Sequence, residues 1–110
     1  MTIFQKIIDR EIPAQIVYED EKALAFRDVN PQAPVHVLVI PKKAISKLAD
    51  MKKEDYELVG HLHFVAAEVA RKEKLSDFRV VINNGAGAGQ SVFHLHLHLL
   101  GGRRMDWPPG

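Results

Sequence analysis

The chain has 110 residues, 46% hydrophobic and 26% charged, with a net charge of +1, the profile of one globular domain spanning residues 1–110. No run of Lys and Arg is long enough to attract nucleic acid or a membrane surface, so any nucleotide partner is expected to be small and held by specific groups. Cysteine is absent, which excludes disulfides, thiolate nucleophiles and sulfur-ligated zinc, and with no signal-like or membrane-length apolar stretch the expected location is cytoplasmic.

Ile3, Phe4, Ile7 and Ile8 recur at helical spacing and predict a short opening helix that Pro13 ends. Residues 16–20 and 23–28 read as two strands around an Asp20-Glu21-Lys22 turn. Pro31 and Pro34 make 30–34 a loop. Residues 35–40 form a nearly continuous apolar strand of central type, closed by Pro41.

From 52 to 74 the period turns helical, with Leu58, Leu62, Val65 and Val69 as a stripe widened by Tyr56, Val59 and Ala66. Arg71, Lys72 and Lys74 suit the negative pole of that helix. Residues 78–83 return to strand, and a glycine-rich loop, 84–91, leads to a final strand. This order predicts an α+β fold, a largely antiparallel sheet covered by one long and one short helix. The closing residues 103–110 are too proline-rich for regular structure, and Trp107 within them is expected to be a packing anchor, a weak pointer to a partner subunit.

The last strand carries the chemistry. In His94-Leu95-His96-Leu97-His98 the alternation has the strand period, which would put three imidazoles on one face, neighbours ~6.6 Å apart, with the leucines in the core. Imidazole is the side chain that can be neutral, nucleophilic and a proton carrier near pH 7. One use is zinc, with His94 and His96 sharing an ion and His36 or another residue as third ligand. The other is nucleophilic attack on phosphorus by a neutral ring, with protonated neighbours holding phosphate oxygens or protonating a leaving group. Gly85, Gly87 and Gly89 lack dinucleotide-fingerprint spacing and precede a strand, but their backbone N–H groups can form a phosphate nest, with Ser91 adding a hydroxyl. His61 and His63, two apart on the long helix, point to different faces and read as surface or interface residues.

The run His94-Leu95-His96-Leu97-His98-Leu99-Leu100 resembles the signature of the histidine triad superfamily. Gln90-Ser91-Val92 before it, Gly101-Gly102-Arg103 after it, the stretches 26–34 and 35–42, and the terminal Trp107-Pro108-Pro109-Gly110 resemble its branch of nucleotide-binding proteins, the Hint branch. The resemblance implies a homodimer in which two five-stranded sheets join into one of ten strands, with the long helices packed across the interface. It also implies hydrolysis of purine nucleoside phosphoramidates and aminoacyl adenylates, without cofactor or metal. By the same resemblance His96 is the nucleophile, His98 and Ser91 contact the α-phosphate and leaving group, and His94 and His36 orient the row. Asp28 would hold ribose, Phe26 and Val29 the base, and Asn83, Gly89, Gln90 and Val92 would complete the nucleotide site. Other expectations stay open: a dinucleoside polyphosphate hydrolase, a nucleotidyl transferase (which carries glutamine where His98 stands) or a non-catalytic nucleotide-binding module.

Overall fold

A computed structural model describes residues 1–110. Helix α1 (Ile3–Ile8) is followed by strands β1 (Ile16–Glu19), β2 (Ala23–Arg27) and β3 (Val35–Pro41), then helix α2 (Tyr56–Lys72), β4 (Phe78–Val81) and β5 (Leu97–Gly101). The strands form one five-stranded sheet in the order β1-β2-β3-β5-β4. Every neighbouring pair is antiparallel. The α+β expectation holds. No helix is long and apolar enough to cross a membrane.

Alternation along each central strand splits the core in two. Ala23 and Ala25 of β2, Val37 and Val39 of β3, and Leu97 and Leu99 of β5 meet Val59, Leu62, Val65, Ala66, Val69 and Ala70 of α2. Their alternates Leu24, Phe26, Leu38 and Ile40 meet Phe4 and Ile7 of α1 on the opposite face. Both faces being covered, β2 and β3 read as unbroken apolar runs rather than alternating ones. His36 and His98 fall on the α1 face by the same parity. Tyr56, counted in the α2 stripe, is instead 60% exposed.

Three boundaries differ from expectation. α1 stops at Ile8, well short of Pro13: Arg10 turns left-handed at φ 61°, and Glu11 N–H closes back on the Lys6 carbonyl at 2.9 Å. The long helix begins at Tyr56, after a 3-10 turn at Lys53–Asp55, where the Asp55 carboxylate accepts from the Lys52 amide at 2.9 Å. The histidine strand starts only at Leu97, paired with Val39. Upstream, β3 runs out at Pro41, and the Leu95 amide turns instead to the Ile45 carbonyl at 2.6 Å. Two triad histidines therefore stand on an extended lead-in, not in the ladder.

Candidate active site

The α1 face collects the imidazoles. Leu38 pairs with His98 and His36 with Leu100, so His36 and His98 are diagonal neighbours across β3 and β5. His36 Nε2 lies 2.9 Å from His98 Nδ1, and the Gln32 amide donates to His36 Nδ1 at 3.0 Å. That amide fixes both tautomers. Having accepted at Nδ1, neutral His36 carries its proton on Nε2 and donates it to His98 Nδ1; neutral His98 then carries its own proton on Nε2. Asp28 Oδ2 stands 3.4 Å from His36 Nε2, and Asp28 Oδ1 accepts from the Asn30 amide at 2.8 Å.

A second pair of bonds sets the other two rings. His94 Nε2–H donates to the Pro41 carbonyl at 2.8 Å, and His96 Nδ1–H donates to the His94 carbonyl at 2.7 Å. The ring of His94 thereby anchors the backbone whose oxygen orients His96. Proton fixed on Nδ1, His96 keeps a free lone pair on Nε2. The His96 and His98 ring centroids are 4.9 Å apart.

Burial governs the charge. Loss of hydration pushes His36, His94 and His96 below the ordinary imidazole range, only partly opposed by Asp28 or by carbonyl acceptors. His98 is lowered to about 4, by burial first and then by the charges His96 and His36 would carry, against the pull of Asp28. Protonated helpers, expected from the sequence, are thus not the resting state: at neutral pH the free site holds four neutral rings, and His98 offers an N–H rather than a charge.

The glycine loop spends most of its amides on itself, leaving those of Ala86 and Gly87 without a partner in the chain. Gly85 and Gly89 adopt φ of 94° and 95°, and the amides of Gly85, Ala88, Gly89 and Gln90 are all spent inside the loop. Just beyond, the amides of Ser91, Val92 and Phe93 donate to no group of the chain. Ser91 is exposed, and the Asn83 carboxamide backs Gly89, where a Cβ would lie 3.6 Å from its nitrogen. Gln90, expected to touch nucleotide, is buried, with its carboxamide occupied by Gly85, Ser46 and Val92.

Of the expected base wall, Phe26 is buried beneath Phe4, whereas Val29 is 99% exposed and packs on nothing in the chain. Phe4 itself is a contact the sequence did not single out. Its ring meets His96 edge-on at 5.0 Å, His94 at 6.3 Å and Phe26 at 5.4 Å. Its only signal was helical spacing, which marks any core residue equally.

The residues close enough to share an ion are Asp28, His36 and His98, their ligand atoms all within 4.8 Å of one another. His94 and His96, the pair expected to chelate, are not among them. A surface cavity of about 740 Å³ lies elsewhere, lined by Lys74, Phe78, Arg79, Arg103 and Arg104 among others, and no triad residue borders it.

A family model described as the HIT domain matches residues 9–105. A maize relative called 14 kDa zinc-binding protein is 57% identical over 112 residues, spanning 99% of this chain and 88% of that one. The crystal structure of a HIT family hydrolase from Legionella pneumophila superposes with a TM-score of 0.97 at 50% identity, covering 100% of both chains. That of a histidine triad nucleotide-binding protein from Candida albicans gives 0.84 at 32% identity, over 98% of this chain and 83% of that one.

Proposed function

Because this chain belongs to the HIT domain family, we propose that it is a nucleotide hydrolase of the Hint branch, cleaving the P–N bond of purine nucleoside phosphoramidates. Aminoacyl adenylates are the second substrate class, and AMP or GMP the product. The observation that carries the reading is the tautomer pattern: an Nε2 lone pair on His96 beside an Nε2–H on His98, each set by a backbone group. One ring is built to attack and its neighbour to donate. The Legionella relative's description as a hydrolase and the Candida protein's as nucleotide-binding support the same class.

In this mechanism His96 Nε2 attacks the α-phosphorus in line, a nucleotidyl-imidazole bond forms and the P–N bond breaks. A proton taken from solvent as the phosphoryl anion binds charges the His36–His98 pair, His98 passes its Nε2 proton to the departing amine, and Asp28 beside His36 balances the transient positive charge. Water then attacks the intermediate, giving its proton back to His98 and freeing His96. The Ser91, Val92 and Phe93 amides hold the equatorial oxygens.

The test is turnover of a fluorogenic adenosine phosphoramidate, with acid-quenched enzyme analysed for AMP on His96. Binding without turnover would leave a nucleotide-binding module; turnover with inversion at a chiral phosphorus would remove the covalent step. A homodimer belongs to the same proposal. β4 is an edge strand, and Phe78 on it, Phe64 on α2 and Trp107, expected as a packing anchor, are all exposed in the single chain. Sedimentation equilibrium should give twice the chain mass, and a monomer would refute this part.

The maize relative's name and the Asp28, His36 and His98 set favour one further reading, zinc as a ligand. An ion held there would displace the proton His36 shares with His98, so metal and turnover exclude each other. Zinc is expected to inhibit hydrolysis and a chelator to leave it intact; activity lost in chelator would reverse the assignment.

A further inference from the structure

Gln90 is 4% exposed and forms three hydrogen bonds through one carboxamide. Its oxygen accepts from the Gly85 amide at 2.8 Å, and its nitrogen donates to the Ser46 carbonyl at 2.9 Å and the Val92 carbonyl at 3.1 Å. The Gln90 amide returns to the Gly85 carbonyl at 3.1 Å, so side chain and backbone together close the loop like a bracket. A third tie, from the Ala49 amide to Asn84 Oδ1 at 2.7 Å, moors the same loop to the segment after β3. On the turn that Gln90 grips at Val92, the Ser91, Val92 and Phe93 amides have no acceptor in the chain.

We propose that Gln90 is a positioning residue which holds the turn at residues 91–93 in the one shape that aims its free amides at the phosphoryl oxygens. It touches no substrate. The argument is geometric: a turn with unspent donors relaxes toward bonds with itself or with water unless something fixes its carbonyls. Gln90 fixes the Val92 carbonyl from within the fold, through Ser46 on one side and Gly85 on the other. Glutamine suits the task because the bracket needs two donors and one acceptor in a plane. Glutamate supplies the acceptor alone and sets a charge against two carbonyls; methionine has the shape and no bonds. The inference rests on a nucleotide phosphate occupying the site.

Gln90→Met and Gln90→Glu test it against wild type, with adenosine and AMP as paired probes. Adenosine lacks the phosphate, so its affinity should stay within about twofold, while the preference for AMP over adenosine falls by about tenfold or more. Single-turnover P–N cleavage should drop by about a hundredfold, on the scale of a lost oxyanion donor. A general loosening would weaken both ligands together. Wild-type amide exchange guards against variants that fail to fold: Gly85 and Gln90 should be protected in the free protein, and Ser91, Val92 and Phe93 should become protected with AMP but not with adenosine.

Variants that keep both the phosphate preference and the rate would overturn the proposal, as would amides at 91–93 indifferent to AMP. The function stands or falls separately. If wild type protects those amides with AMP yet cleaves no phosphoramidate, the hydrolase reading fails and the role of Gln90 remains.

Discussion

Each triad imidazole is committed at one nitrogen before any ligand arrives. His96 gives its Nδ1 proton to the His94 carbonyl, so a change that keeps the fold but removes Nε2 should abolish attack and spare binding. His96→Ala is expected to lose turnover by several orders of magnitude with AMP affinity retained, measured by single-turnover kinetics and calorimetry. Normal turnover would refute the assignment. His98 makes a pH prediction. Lowered to about 4 by burial and its neighbours, it is neutral in the free site at physiological pH. A bound phosphate anion favours its charged form and raises that value, so AMP binding should take up a proton above about pH 4, up to the raised value of the occupied site. Calorimetry in two buffers of different ionisation enthalpy reads this directly. The same depression has a stability cost on the acid side. The unfolded chain binds the proton that folded His98 refuses, so stability rises from about pH 4 to 6.5 and is level above.

Among the elements, α1 contributes most for its length. Six residues, capped by the Thr2 hydroxyl on the Gln5 amide at 3.1 Å, carry Phe4 into a wedge between Phe26, His94 and His96. Truncating a buried phenylalanine costs about 3–5 kcal/mol. Phe4→Ala should approach the lower end, because a short terminal helix can shift to close part of the gap, and it should also free the His96 ring. Urea unfolding measures the first effect and ¹⁵N spectra of the imidazoles the second; unchanged His96 spectra would mean that Phe4 only packs. The turn between β1 and β2 is locked to α2 by Asp20. Its carboxylate takes His61 Nε2 at 2.6 Å, the Tyr18 hydroxyl at 2.8 Å and the Lys22 and Ala23 amides at 2.8 Å. Burial alone would raise its pKa, but these bonds lower it to about 2. The stabilisation is present above about pH 4 and is lost as pH falls toward 2. Asp20→Asn should cost about 1–2 kcal/mol at neutral pH and flatten that acid limb in denaturation curves.

At the scale of the molecule, two faces of one sheet have been given different work. The buried residues of the α2 face are all aliphatic, with Ala23 and Ala25 admitting the helix closely. The α1 face trades aliphatic area for histidines, and the short helix leaves part of it open. The α+β order, the helix stripe around Leu62 and Val69, and the identity of the triad were legible because each repeats at a fixed period. The end of α1 was not, because Arg10 entered a left-handed conformation that nothing in its side chain announces. Val29, 99% exposed, packs on nothing in the chain, and a residue free of its own fold leaves no packing signature in the sequence.

Sequence alone determined which groups are chemically able to react, since residue type and spacing fix what His96 and its neighbours are. Only the tertiary structure decided their protonation and aim. Those depend on the Gln32 amide and on the Pro41 and His94 carbonyls, backbone groups that the fold brings against the rings. Burial by α1 and the sheet then set the charge. A pattern of side chains carries no record of which backbone group will face them, and here that choice leaves one imidazole with a free Nε2 lone pair and the next with an Nε2–H.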